Sequence, residues 1–200
     1  MVAQQLRARG IADERVLAAF RDLPREAFVD PSLASAAYAD EPLPIGLGQT
    51  ISQPYVVAMM VQALGIQQDD NVLEVGAGSG YAAAILSRLA RHVTAIERHE
   101  ALVEGAAARL AALGFDSVDV QHGDGTLGWP PAAPFDAILV SAGGREVPPA
   151  LRDQLAVGGR LVIPVGAWGH QELLRIARRS DGTFSQERLG GVSFVPLVCE

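Results

Sequence analysis

The stretch Val72-Leu73-Glu74-Val75-Gly76-Ala77-Gly78-Ser79-Gly80-Tyr81 constrains this chain more than any other. An apolar run of strand character ends in three glycines at alternate positions, and Ala82-Ala83-Ala84-Ile85-Leu86 then opens a helical pattern. Strand, tight turn and helix in that order are the building unit of a parallel α/β sheet. Without Cβ atoms, the turn lets a ligand lie against main chain. Its spacing departs from the dinucleotide fingerprint Gly-X-Gly-X-X-Gly, because Tyr81 stands where that pattern has its third glycine.

Two hundred residues suit one domain with a sizeable core. No stretch is apolar enough to span a membrane, and Met1-Val2-Ala3-Gln4-Gln5-Leu6-Arg7 lacks the apolar run of a signal peptide. A net charge of −7 and the absence of a basic stripe argue against nucleic acid as a partner. The densest basic cluster, Arg175, Arg178 and Arg179, is expected to be a solvated strand end. Cys199 is the single cysteine, so no internal disulfide can form, which is consistent with a cytoplasmic protein. His92, His99, His122 and His170 are scattered without metal-ligand spacing, so no metal is expected.

Organisation changes near residue 65. Residues 1–64 are expected to be a helical and substrate-loop segment, and residues 65–200 an α/β core, within one domain. In the first part Asp13 can cap a helix with Val16, Leu17 and Phe20 on its apolar face, ended by Pro24. Ser32 is expected to cap a short helix reaching Tyr38. A Pro- and Gly-rich loop over 40–53 follows, and Pro54 suits the first turn of a helix carrying Val57, Met60, Val61 and Leu64. In the second part the pattern predicts strands at 71–75, 93–96, 118–121, 137–140 and 160–165, with helices at 81–90, 100–113 and 149–155. This alternation implies a Rossmann-like, mostly parallel sheet with helices on both faces. Residues 172–177 and 192–198 are expected to close it as an antiparallel hairpin.

The pattern Glu-X-Gly-X-Gly-X-Gly over Glu74, Gly76, Gly78 and Gly80 resembles motif I of S-adenosylmethionine (AdoMet)-dependent methyltransferases. On that reading Gly76, Ala77, Gly78, Ser79 and Gly80 contact the cofactor. Three acids fall at strand ends, where ligands bind in an open parallel sheet. Glu97 lies 21 positions after Gly76, close to the roughly 20-residue spacing at which an acid reaches ribose hydroxyls. Asp124, within Gly123-Asp124-Gly125, can accept from the adenine amino group or form a turn. Glu74 either orients the loop or meets the amino group of the methionine moiety.

Beyond motif I, several segments carry a more specific likeness. They are Arg7-Ala8-Arg9-Gly10-Ile11, Pro24-Arg25-Glu26-Ala27-Phe28, Gly48-Gln49-Thr50-Ile51-Ser52-Gln53-Pro54, Gly123-Asp124-Gly125, Pro134-Phe135-Asp136-Ala137-Ile138 and Phe194-Val195-Pro196-Leu197. With these the chain resembles the protein-L-isoaspartate O-methyltransferases over nearly its whole length. The resemblance implies methyl transfer from AdoMet to the α-carboxylate of L-isoaspartyl residues in damaged proteins or peptides. It implies S-adenosyl-L-homocysteine (AdoHcy) as coproduct, and a methyl ester that closes to a succinimide. The family's active-site serine falls on Ser52, with Thr50, Ile51, Gln53 and Ser141 beside the substrate. A monomer is expected.

A serine suits this chemistry. An α-carboxyl group titrates near ~3.5 and is already a nucleophile at neutral pH, so no base is needed. Alignment of oxygen, methyl carbon and sulfur is the task, worth on the order of 7–11 kcal/mol. The competing reading of Ser52 is a cap for the helix at Pro54. Where family members commonly carry Thr-Ala-Ala, this chain has Ser141-Ala142-Gly143-Gly144, whose glycines are expected to loosen the loop. Three alternatives stand beside the main reading: a nicotinamide-dependent oxidoreductase, a methyltransferase dedicated to one partner peptide, and a non-catalytic AdoMet-binding module.

Overall fold

The structure is a computed structural model, and it describes residues 1–198. Cys199, on which the disulfide reading rests, lies outside the described residues. Helix α1 (Glu14–Asp22) starts at Asp13, whose carboxylate accepts from Arg15 N, and buries Val16, Leu17 and Phe20. Ser32 is not a helix cap. Asp30 caps a 3-10 turn over Pro31–Ala36, and both the N–H and the hydroxyl of Ser32 donate to that carboxylate. An aspartate before Pro31 offers the better acceptor to the free N–H groups of the first turn.

Residues 40–53 are not an irregular loop. Leu43–Gly46 (β1) and Gln49–Ile51 (β2) pair as an antiparallel hairpin. Neither strand is long enough to display alternation, so its pattern was invisible in the sequence. Helix α2 (Pro54–Leu64) then buries Val57, Met60, Val61 and Leu64.

The core alternates as expected: β3 (Asn71–Val75), α3 (Tyr81–Ser87), β4 (His92–Glu97), α4 (Glu100–Ala112), β5 (Val118–His122), β6 (Phe135–Val140), α5 (Pro149–Asp153), β7 (Leu155–Ala167), β8 (His170–Arg178) and β9 (Phe184–Val192). The seven-stranded sheet runs β5-β4-β3-β6-β7-β8-β9, with β8 and β9 antiparallel to their neighbours. Side chains alternate across it. Val72, Val93, Ala137 and Leu139 face a core shared with α1, α2 and α3. Leu73, Val75, Ile138 and Val140 face a second core with Leu151 of α5. Connections leave β3 toward β4 on one side and return to β6 on the other. The gap between the carboxyl ends of β3 and β6 is therefore the topological switch point.

The closing hairpin uses a different strand from the expected one. β8 pairs with residues 184–192, an edge segment rich in polar residues, and residues 193–198 instead run back over the sheet end. The Gly143 N–H donates to Val195 O and the Leu197 N–H to Gly143 O, both at 2.8 Å. Gly143 and Gly144 consequently tighten this region instead of loosening it. A Cβ at Gly143 would strike the Gln171 amide, and Gly144 is bonded to Pro164 and Gly166. The basic cluster is also more engaged than a solvated strand end: Arg175 Nε donates to Ala63 O and an Arg178 amino group to Leu155 O.

Candidate active site

The glycine loop, Glu74, Glu97 and Gly125 line cavities at the switch point, whereas Gly123 and Asp124 line neither of them. The glycine loop leaves β3 and turns into α3, and four of the five N–H groups over residues 76–80 are spent inside the protein. Gly76 and Ala77 donate to Ile96 O at 2.8 and 3.0 Å, Gly80 to Ala77 O, and Gly78 to Glu97 Oε2 at 2.9 Å. A pyrophosphate needs such donors left open. This loop therefore suits a ligand without phosphates, against the dinucleotide alternative. Gly78 has φ +53°, and a Cβ there would lie 3.1 Å from Ile45 Cδ1, so its absence lets the β1–β2 hairpin close over the loop. Tyr81, in place of a third loop glycine, is buried and meets Phe20 and Phe28 edge-on at 6.0 and 5.4 Å. It joins the N-terminal segment to α3.

Glu97 ends β4 and is buried. Its two oxygens accept from Gly78 N and His99 N (3.0 Å), and it lines the groove beside the loop with Ile96 and Arg98. A carboxylate has about four acceptor sites, so capacity for two hydroxyls is left. Glu74 is buried within β3 at 1% exposure. Ser141 Oγ donates to its Oε1 at 3.3 Å, while Oε2 has no hydrogen-bond partner. Burial pushes its pKa up to about 8; the Ser141 bond opposes the rise, the nearby Glu97 charge adds to it, and the Ala83 backbone N–H opposes it weakly. Glu74 lines a cavity together with Gly76, Gly78, Thr50 and Ser52. Asp124 behaves as a turn former: its Oδ1 accepts from Thr126 N and Oγ1, capping Gly125–Leu127. Gly125 lines the groove there, tight against Val75.

The neighbouring cleft is larger. A cleft of about 870 Å³ is bounded by Thr50, Ser52, Gln53 and Ser141 on one wall and Gln171 and Phe194 on the other. Thr50 and Ser141 border both this cleft and the groove along the loop. Ser52 does not cap α2: Gln53 holds the N-cap position, and no side chain caps there. Among the described residues the Ser52 hydroxyl has no hydrogen-bond partner in the protein, and its carbonyl accepts from Arg25 at 3.0 Å. Gln53 is less available, since its Nε2 donates to the backbone and the carboxylate of Asp40, both at 2.9 Å. Ile51 is buried and touches the smaller cavity beside Glu74. Sequence reasoning missed the wall formed by residues 191–195 and Gln171, because their approach depends on the misassigned last strand.

The donor set fits AdoMet: a buried carboxyl with one oxygen to spare for an ammonium, and a second acid for ribose hydroxyls. Fold and site together define an AdoMet-dependent methyltransferase. The family described as protein-L-isoaspartate(D-aspartate) O-methyltransferase matches residues 1–200, and the chain belongs to it. It is 61% identical to the protein-L-isoaspartate O-methyltransferase of Methylorubrum extorquens, over 99% of this chain and 86% of that one. Identity to the same-named protein of Rhodopseudomonas palustris is 57%, over 99% and 91%. A Plasmodium falciparum structure of this enzyme type, in complex with S-adenosyl-L-homocysteine, superposes with TM-score 0.85 at 26% identity, covering 98% of this chain and 96% of that one.

Glu97→Ala is expected to weaken AdoHcy binding ten- to hundredfold, since hydrogen bonds to a charged acceptor contribute roughly 1.5–3 kcal/mol each. Calorimetry reads this directly, and unchanged affinity would remove Glu97 from the cofactor site.

Proposed function

We propose that this protein methylates the α-carboxylate of L-isoaspartyl residues in damaged proteins or peptides, with Ser52 holding the acceptor. The observation that carries this reading is the unpartnered Ser52 hydroxyl in a wide cleft that meets the glycine-loop groove at Thr50 and Ser141. When bound, AdoMet supplies a methyl group on a sulfonium sulfur; the sulfur–methyl bond breaks as the oxygen–methyl bond forms, and the electron pair stays on sulfur, giving AdoHcy. The residues have separate tasks. Glu97 takes the ribose, Gly76 to Gly80 and Gly125 shape the walls, and Glu74 takes the amino group. Asp124 holds its turn and through it the position of Gly125. Ser52 Oγ donates to one carboxylate oxygen, leaving the other to face the methyl carbon. Thr50 and Ser141 border that junction, Ile51 packs beneath it, and Gln53 steadies it through Asp40. Water exclusion falls to the hairpin and to residues 193–198.

A cleft near the upper end of the usual 300–1,000 Å³ range accommodates several residues of an extended chain. The exposed large apolar side chains, such as Leu47, Leu127 and Trp168, come from separate elements, which supports a monomer. We read the chain as one cytoplasmic domain acting on protein and not on nucleic acid; its net negative charge supports the latter. No helix among the described residues is long and apolar enough to cross a membrane. The test is transfer from methyl-tritiated AdoMet to an isoaspartyl peptide. Label released as methanol at alkaline pH marks a carboxyl ester, whereas base-stable label would place the methyl group on nitrogen and overturn the reading.

Glu74 gives this site a pH signature. Its folded pKa lies above that of an exposed glutamate, so the native state holds a proton that the unfolded chain releases. Between about pH 4.5 and about 8 the ligand-free protein therefore loses stability as pH rises, by at most about 1.4 kcal/mol per pH unit. Glu74→Gln cannot ionise and is expected to remove this slope. Denaturation of both proteins at pH 5, 6.5 and 8 checks it, and parallel curves would contradict it.

A further inference from the structure

Arg25 is the most deeply buried charge that the functional reading leaves unused. It is 0% exposed, at the start of a 3-10 turn over Arg25–Phe28. Every acceptor it touches is a neutral carbonyl: Ala37 O, Glu41 O at 3.4 Å and Ser52 O at 3.0 Å. Its Nε has no partner, and its guanidinium sits 5.6 Å from the Tyr81 ring centroid. Among the described residues it makes no ion pair. Asp40 attracts it through space, but that carboxylate is in contact with Arg9, Gln53 and Tyr55 N. An arginine stays ionised, and hydrogen bonds to carbonyls offset only part of the cost of burying its charge. A cation kept in this condition favours a negative charge brought close to it. Ser52, one of the three residues it holds, lines the cleft where an anionic acceptor is proposed to bind.

We propose that Arg25 is the positioning residue of the acceptor site, fixing the Ser52 backbone and drawing the substrate carboxylate to the Ser52 hydroxyl. This rests on the reading of Ser52 as the acceptor-binding residue. The charge works on one stage of the reaction more than the other. Methyl transfer consumes the carboxylate's negative charge, so a nearby cation stabilises the bound acceptor more than the transition state. Loss of that cation therefore appears in KM and not in kcat. Arg25 itself lines neither the groove along the glycine loop nor the cavity beside Glu74, so cofactor affinity is expected to change little without it.

The experiment compares Arg25→Gln, which keeps donors without charge, with Arg25→Lys, which keeps both. Arg25→Gln is expected to raise KM for an isoaspartyl peptide on the order of tenfold, the scale of two charges about 12 Å apart at an effective dielectric near 20. Its kcat stays within about threefold, as do both parameters of Arg25→Lys, and calorimetric AdoHcy affinity is unchanged in both. Equal KM shifts in the two variants, a loss confined to kcat, or a parallel fall in AdoHcy affinity would overturn the proposal. Should the variants not fold, the AdoHcy-loaded wild-type protein decides. It should bind the isoaspartyl peptide at least about tenfold more tightly than the same peptide bearing an α-carboxamide, and equal affinities overturn the proposal. A wild-type protein that methylates no isoaspartyl peptide would instead overturn the functional reading, which separates the two failures.

Discussion

Ser52→Ala is expected to retain AdoHcy affinity within about twofold while methyl transfer falls roughly 10²–10³-fold, the loss typical of one positioned donor at a reacting oxygen. The structure separates these two effects. Ser52 is absent from the groove that holds Glu97 and Gly125; it lines the cavity beside Glu74 but makes no hydrogen bond to that carboxyl, and its hydroxyl carries no hydrogen bond that the fold needs. Helix α2 starts at Pro54, whose missing N–H and fixed φ suit that position, without help from Ser52. Melting temperature should therefore barely change, and the loss should be one of turnover. Since the carboxylate needs no deprotonation, its rate dependence on pH should also keep its shape, with only the amplitude reduced. Full turnover in the variant would leave Ser52 without a role in the acceptor site. A lowered melting temperature would return it to a structural one.

Much of this site was legible because strand, glycine turn and helix are local. The three acids sit at strand ends that alternating patterns locate within a residue or two, and Asp13 and Pro54 mark their helices by short-range chemistry. What stayed hidden was set by tertiary contacts. β9 is an edge strand with one face toward solvent, so Ser185, Gln186, Glu187 and Arg188 give it no apolar alternation. Residues 193–198, more apolar, read as the better strand, yet Pro196 cannot donate to a ladder and the segment is held across the site by Gly143. The two glycines read as slack stand where a Cβ would strike a neighbour, the Gln171 amide at Gly143 and the Glu146 carbonyl at Gly144. Arg25 could be seen in the sequence only as part of a family-like segment. That its charge is buried against three carbonyls is knowable only from the fold.

An effect of similar size is expected in linkage selectivity. An L-isoaspartyl peptide and the same peptide with normal L-aspartate both offer an ionised carboxylate, so intrinsic reactivity does not separate them. Geometry does. In isoaspartate the carboxylate stands directly on the α-carbon and the chain continues through an extra methylene. A cleft lined by Thr50, Ser52 and Gln53 on one side and residues 191–195 on the other is expected to fix the direction of the main chain on both sides of the reacting residue. With the chain so held, only one linkage brings an oxygen to Ser52 in line with the methyl group. Misplacement by about 1 Å costs on the order of 10²-fold in rate. The measurement is a radiolabelled-AdoMet assay on the matched peptide pair, at mildly acidic pH so that the ester survives long enough to count. Methylation of the isoaspartyl peptide at least about 10²-fold faster than its normal twin is the expected result. Equal labelling of the two, or labelling of neither, would contradict the account.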